Sequence, residues 1–474
     1  MIRRIATVVL LTACAFAQAA IPDTPPGRLF QSWLDSFNSG DVARHTKFLA
    51  EHASDQVRQG QPAARAARDE MRFRSVVVGF DLYKVLASSD TELRVLLKER
   101  GGFGFAEAVY RVDPAHPDVI ASNEIEQAPT PPEARPERED NAALTQDVEK
   151  LVDKLAAEDR FSGVVLIAKD GKAFFQKAWG YADRDKKVPN NLDTRFRLGS
   201  MNKMFTSVAI AQLVQQRKLK YTDTVAQILP DYPDKDIASR ITVHQLLTHT
   251  SGLGDFFGDE FEKKKDSLHG LKDYLALFAG KPLLFEPGKE FRYSNAGMIV
   301  AGLIVEKLSG QSYYDYVREH IYKPAGMSSS DTFDKTKPQP NQSVGYMHGP
   351  DGRWTSNLES LPLMGSSAGG GDSTAPDLLR FDQALRSHKL VNSELTTTIT
   401  SGKVAPDADR KYAYGFEESQ VDGKRVVGHG GGAPGMNANL DMYWDSGYTV
   451  IVLTNLDPPI AQQVNRYIRE RIRQ

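Results

Sequence analysis

Three observations predict an α+β protein of two unlike domains. A Pro- and charge-rich break over 129–140 interrupts the hydrophobic patterning. The segment before it reads as helices followed by strands, and the segment after it is strand-rich at both ends and helical between. At 474 residues the chain also exceeds what one ordinary core supports.

Residues 1–19 stand apart. Arg3 and Arg4 precede an apolar run, and Ala17-Gln18-Ala19 offers small residues for cleavage. This is the layout of a secretory signal and is too short to span a bilayer. No later stretch is long and apolar enough to do so, and a soluble or merely tethered mature protein is expected. Cys14 is the only cysteine. Cleavage after Ala19 leaves a chain with no thiol, and hence no disulfide, cysteine nucleophile or thiolate metal site. Leu11-Thr12-Ala13-Cys14 also resembles the lipobox of bacterial lipoproteins, the alternative being a lipid tether at Cys14; the short apolar run before it favours plain cleavage. Either route leads out of the cytoplasm, to the periplasm or beyond.

Residues 22–128 form the first expected domain. A helix beginning near Pro26 carries Leu29, Phe30, Trp33, Leu34 and Phe37 on one face. Asn38-Ser39-Gly40-Asp41 punctuates, and a second helix starts after Asp41. From Ser75 onward β-rich runs cover 76–86, 91–97, 103–112 and 119–125, the order of an antiparallel meander. The phrase from Trp33 to Asp41 resembles the opening of small α+β cone domains of the nuclear-transport-factor and polyketide-cyclase type. No catalytic constellation is visible here, so an accessory, structural role is expected. The break at 129–140 then reads as an extended polar linker.

Residues 141–474 form the second. Leu144, Val148, Leu151, Val152 and Leu155 share one face of an amphipathic helix. Runs over 163–169 and 172–179 flank Asp170-Gly171, a strong type I′ hairpin signal. The far end mirrors this, with strands over 425–427, 439–444 and 448–454, a turn at Asp445-Ser446-Gly447 and a helix from about Pro459. An antiparallel sheet contributed by both ends, with helices inserted between, is the simplest architecture.

Charge excludes some partners. Lys+Arg total 59 against Asp+Glu 61, a formal net charge of −2. That balance gives no ground for nucleic acid or an anionic membrane surface.

Candidate chemistry begins at Ser200-Met201-Asn202-Lys203, which opens a strongly apolar helix. Positions i and i+3 share a helix face, which sets hydroxyl and amine side by side. A serine hydroxyl needs a base, and lysine serves where burial lowers its pKa. Alone the motif is weak, since about one chance Ser-x-x-Lys match is expected in a chain of this size; the plain alternative is a helix start with a solvated lysine. Two further segments change the weight: Tyr293-Ser294-Asn295 before an apolar helix, and His429-Gly430-Gly431-Gly432 after a strand.

In that order the three motifs resemble those of the serine β-lactamase and penicillin-binding-protein superfamily, in particular its class C and esterase-like branch. The phrases from Thr242 to Leu253 and from Ser367 to Thr374 are similar to family members as well, and the resemblance covers the chain from about Ala142 to its end. It implies an antiparallel sheet flanked by helices with a mostly helical subdomain, and no metal or organic cofactor. It also implies Ser200 as nucleophile, Lys203 with Tyr293 as proton handlers, and Asn295, His429, Gly430 and Gly431 as substrate-binding positions. The backbone N–H groups of Ser200 and Gly432 would form the oxyanion hole. Tyr293 would act as a phenolate or as a proton relay, and as a base only insofar as the Lys203 cation stabilises its phenolate. Many family β-lactamases head the third motif with lysine, and His429 tilts the reading toward a peptidase or esterase. Binding of a substrate carboxylate would then need imidazolium and weaken as pH rises through about 6–7.

The implied partner is a small-molecule or peptide substrate: a peptide, D-amino-acid peptides of the cell wall included, a carboxylic ester, or a β-lactam. The rival class is a catalytically idle binder of cell-wall peptide or another ligand. Oligomeric state is not legible. Other features carry less. His244 and His249 lack a third convergent ligand for a metal. Gly369-Gly370-Gly371 lacks the ending of a phosphate loop and reads as a turn before a helix with Thr374 and Asp377 as a capping box. Lys263-Lys264-Lys265 is interleaved with Asp259, Glu260, Glu262 and Asp266, as a solvated helix face would be.

Overall fold

The computed structural model describes residues 20–337, 339–349, 353–407 and 410–473. The expected signal segment, with Cys14, lies outside them. Contacts group the chain into two compact units that part between Arg135 and Pro136.

In the first unit, helix Pro25–Ser39 starts at Thr24, whose hydroxyl accepts from Gly27 N, and stops where Gly40 turns left-handed. Asp41 caps helix Val42–His52 through Ala43 N and Arg44 N. A third helix, Ala63–Val77, takes the first two valines of the run read as a strand, and Val78 leaves it with φ 65°. The stretch before them is rich in Ala and Arg, strong helix formers that carry the β-branched residues along in the last turn. Strands Phe80–Ser88, Glu92–Glu99, Phe105–Asp113 and His116–Ala128 form an antiparallel meander. Phe30, Trp33, Phe37, Phe80 and Tyr110 fill its core, with the Trp33 and Phe37 rings 4.7 Å apart.

The second unit is built on seven antiparallel strands. Their spatial order is Arg410–Tyr412, Glu417–Val421, Lys424–Ala433, Met436–Tyr443, Tyr448–Thr454, Gly163–Lys169 and Lys172–Trp179. The two ends of the segment meet where Tyr448 pairs with Lys169 and Thr454 with Gly163. The hairpin turn has the expected left-handed pair, Asp170 at φ 50° and Gly171 at φ 76°. Both faces of the inner strands are buried, and Asn141–Ala157, Ile460–Arg469 and Ala375–Arg386 are among the helices that pack near them. Helices Asn202–Gln215 and Asn295–Ser309 are buried almost all round and belong to the same core. The end of the Pro-rich stretch is fastened rather than free. Arg138 donates to Arg469 O at 2.7 Å, and Glu139 N to Arg471 O at 2.8 Å.

One strand is longer than its sequence suggested. Lys424–Ala433 extends the run read over 425–427 through the glycine triplet. Glu417–Val421 pairs with it only as far as Gly428, so from His429 onward its strand partner is Met436–Tyr443 alone. No helix among the described residues is long and apolar enough to cross a membrane.

Candidate active site

Ser200 sits in a tight turn, Gly199–Met201, that feeds helix Asn202–Gln215. Two glycines make the turn fit. Gly199 has φ 53°, a left-handed conformation that side chains resist. A Cβ on Gly431 would lie 1.8 Å from Leu198 O and 3.2 Å from Ser200 N, and one on Gly199 3.0 Å from Gly432 N. The glycine strand and the serine turn therefore meet backbone to backbone, with the Ser200 and Gly432 amides at the junction.

Lys203, one turn on, is wholly buried. Its Nζ lies 3.0 Å from Ser200 Oγ, 2.8 Å from Asn295 Oδ1 and 2.6 Å from Ala368 O. The last two can only accept. A neutral amine that donates to both has its remaining lone pair toward Ser200, the direction in which it can take the hydroxyl proton. The segment around Ala368 is clamped on the same helix, since Asn202 Nδ2 donates to Ser366 O at 2.8 Å and Thr206 Oγ1 to Ser367 O at 2.7 Å.

Helix Asn295–Ser309 begins at Ser294, whose hydroxyl accepts from Gly297 N at 3.1 Å. Asn295 is thus held at the helix start and Tyr293 just before it. The loop from His249 to Asp255 braces both. His249 O accepts from Arg292 N at 2.9 Å, His249 Nδ1 from Ser294 N at 3.2 Å, and the imidazole packs 4.3 Å from the Tyr293 ring. Lys203 Nζ stands 4.7 Å from the Tyr293 ring centroid, and the Ser200 side chain is near enough to the Tyr293 hydroxyl to favour its ionised form. Asp255 Oδ2 accepts from Asn295 Nδ2 at 2.8 Å. A carboxylate facing the amide fixes its orientation: the NH2 must face Asp255, which turns Oδ1 to Lys203.

Electrostatics divides these groups. Burial lowers the Lys203 amine to about 7, against a smaller upward pull from Asp255. Near neutral pH it is therefore half uncharged and fit to act as a base. Tyr293 moves the other way. Burial of its surroundings pushes the phenol up, with the nearby Ser200 side chain opposing; because 38% of the residue is open to solvent, the push is smaller than full burial would give. A resting phenolate held by a lysine cation does not fit this pair, since the phenol is pushed up while the amine is only about half charged near neutral pH; the proton-relay role of Tyr293 is compatible with both. Nor does His429 present an imidazolium. It is buried, burial holds its pKa below the ordinary value, Nε2 is 3.0 Å from Tyr412 Oη, and Nδ1 is 2.5 Å from Gly430 O. Both ring nitrogens are occupied within the protein.

Ser200, Lys203, Tyr293 and Asn295 thus converge on one point, with Gly431 and Gly432 against the serine turn and His429 behind Tyr293, ring centroids 6.5 Å apart. Gly430 faces the other side of the sheet, where a Cβ would meet Gln462. Sequence reasoning missed Asp255, a lone acid in a loop with no periodicity to mark it, and the carbonyl of Ala368, invisible to any side-chain motif. A cavity of about 480 Å³ opens beside Ser200, Asn295 and Gly432, and includes Phe256, Phe257 and Phe261. Of the discounted features, His244 Nδ1 is 2.8 Å from Tyr414 Oη. The lysine run is locally paired, Lys265 with Glu262 at 2.8 Å. Thr374 caps its helix through Asp377 N at 3.3 Å, but the Asp377 carboxylate turns to Ser329 N and Ser330 Oγ, both 2.8 Å, so the capping box is half made.

Comparison with known proteins matches residues 148–473 to a family model described as beta-lactamase. The chain is similar to penicillin-binding protein 4* of Bacillus subtilis, 29% identical over 330 residues, or 65% of this chain and 71% of that one. Among solved structures it is similar to a penicillin-binding protein from Bacillus halodurans, with 33% identity and a TM-score of 0.62 over 70% of this chain and 98% of that one. It is also similar to a D-stereospecific amidohydrolase from Streptomyces sp., with 26% identity and a TM-score of 0.57 over 69% and 98%.

Proposed function

The chain belongs to the β-lactamase family of serine hydrolases, and from that premise we propose an exported enzyme that cleaves peptides, D-amino-acid peptides in particular, or carboxylic esters through an acyl-enzyme on Ser200. One observation carries the reading: a buried amine lies 3.0 Å from the serine hydroxyl, and its two other partners can only accept, so in its neutral form the lone pair is left for that hydroxyl.

Lys203 takes the Ser200 proton as Oγ bonds to the substrate's carbonyl carbon. The carbonyl oxygen becomes an oxyanion against the Ser200 and Gly432 amides, donors worth about 3–4 kcal/mol each in such sites. As the tetrahedral intermediate collapses, the bond to the leaving nitrogen or oxygen breaks. Tyr293, a neutral phenol, gives that atom its proton, and the Lys203 ammonium restores one to the phenolate. A water molecule then repeats the sequence on the ester, losing its proton to the same pair, and Ser200 regains its hydrogen. Asn295 keeps the amine aimed.

Amides and esters are favoured over β-lactams, and over peptides that need their free C-terminal carboxylate bound, because the third motif offers no fixed cation for a carboxylate, His429 being buried and engaged. The likeness to the D-stereospecific amidohydrolase supports the same choice. Export rests on the signal layout of residues 1–19, and the 22–128 segment is assigned an accessory role. Hydrolysis of D-amino-acid amides, peptides ending in D-Ala-D-Ala, p-nitrophenyl esters and a cephalosporin, by wild type and Ser200→Ala, tests the proposal. Turnover of an amide or ester that disappears in the variant supports it. Turnover of the cephalosporin alone makes it a β-lactamase, and turnover of none makes it an idle binder.

A further inference from the structure

The cavity beside Ser200 has a composition of its own. Phe256, Phe257, Phe261 and Tyr274 crowd one wall, with ring centroids 4.6 Å apart for Phe256–Phe257, 5.0 Å for Phe257–Phe261 and 5.1 Å for Phe256–Tyr274. Leu361 and Met436 also line it. Of its two charged residues, Glu262 pairs with Lys265 at 2.8 Å, and Arg197 lies away from the aromatic wall in sequence and stands 3.9 Å from the buried Asp372 carboxylate. Tyr274 Oη is taken as well, donating to Met364 O at 2.6 Å. Phe257 is 57% exposed although it sits in this aromatic cluster. An aromatic ring left open beside a reactive serine is a contact surface awaiting an apolar group.

Geometry decides which half of the substrate enters. The cavity is bounded by Ser200, Asn295 and Gly432, whereas neither Tyr293 nor His429 lines it. The leaving group has to reach the Tyr293 hydroxyl for its proton, so it lies on the Tyr293 side, and the acyl portion, bonded to the same carbonyl carbon, extends the other way. Resting on the acyl-enzyme reading above, we infer that this cavity is the acyl-group pocket and selects bulky apolar or aromatic acyl groups, with Phe257 as a specificity-determining residue. A volume of about 480 Å³ holds a phenylalanyl or medium-chain acyl group with room for the atoms around the carbonyl. Its aromatic wall, whose one hydroxyl is already donated to Met364 O, strips water from an anionic acyl group without replacing it.

The test is kcat/KM for p-nitrophenyl acetate, butyrate, hexanoate, phenylacetate and succinate, where the leaving group is constant and only the acyl part changes. Each buried methylene is expected to raise kcat/KM about fourfold, giving on the order of 10²-fold from acetate to hexanoate. Phenylacetate should exceed acetate by a similar factor, and succinate should fall below butyrate. In Phe257→Ala the hexanoate-to-acetate ratio should fall about three- to tenfold, and Phe257→Leu should recover part of it. Labelling of Ser200 by a small fluorophosphonate separates two ways of failing. Labelled enzyme with a flat or inverted acyl series, or an unchanged ratio in Phe257→Ala, overturns the pocket and leaves the hydrolase. Enzyme that neither labels nor turns over any ester overturns both.

Discussion

Replacing Asp255 by asparagine removes a charge while keeping an oxygen that accepts from Asn295 Nδ2. The Asn295 amide therefore stays turned toward Lys203, and what changes is the field at the amine. Two 2.8 Å hydrogen bonds and the width of one amide separate carboxylate from amine. Over the resulting ~7–8 Å, with an effective dielectric constant of about 40 for a half-buried carboxylate, the attraction is ~1 kcal/mol, equivalent to about 0.8 pH unit. Asp255 raises the Lys203 pKa, so its loss lowers it further. In the wild type the acidic limb of kcat/KM should fall near the amine's value of about 7, with activity rising as the amine loses its proton. In Asp255→Asn the limb should move to lower pH, leaving the variant roughly fourfold more of its own plateau at pH 6. The assay is an ester pH–rate profile from pH 5 to 9 on both proteins. A limb that stays in place or moves upward would refute the electrostatic link, and a wild-type profile with no limb between about 6 and 8 would refute the lowered amine itself.

Burying a neutral lysine costs stability, and the cost depends on pH. The unfolded chain binds a proton at this residue up to its ordinary 10.5 while the folded chain lets it go near 7, so this contribution to stability rises with pH across that window. Denaturant unfolding of Lys203→Met and wild type should therefore show the variant's relative advantage shrinking by about 3–4 kcal/mol between pH 7 and 10; a constant difference would contradict the shift. Gly431→Ala would drive a Cβ to 1.8 Å from Leu198 O and should lose about 2–3 kcal/mol of stability with at least 10²-fold of activity, whereas Gly280→Ala, with nothing within 4 Å, should change neither. Inhibition by a carboxylate-bearing substrate analogue should track its neutral amide between pH 7 and 8.5, because His429 is already uncharged there; a loss of affinity confined to the carboxylate over that range would restore the imidazolium.

Local sequence rules account for much of this site. The hairpin 163–179 carries its turn in Asp170-Gly171, and the Ser200–Lys203 spacing places the two groups on one helix face, so local rules suffice for both. The strand through His429 and the glycines is a tertiary outcome: its backbone is held by Met436–Tyr443 and by the serine turn, and no propensity encodes that. The end of helix Ala63–Val77 is hidden because Val76 and Val77 belong to a β-rich run yet close the helix, and the chain turns only at Val78. The charge states of Lys203, Tyr293 and His429 were the least legible part. Each depends on how completely its surroundings exclude water, which residue identity does not record.

The central claim is an activated Ser200, and intact-mass analysis after exposure to a fluorophosphonate tests it most directly. The account predicts a single adduct on the wild type, formed faster as pH rises through about 7 and absent from Ser200→Ala. A wild type that stays unmodified across that range, or an adduct that persists in Ser200→Ala, would contradict it.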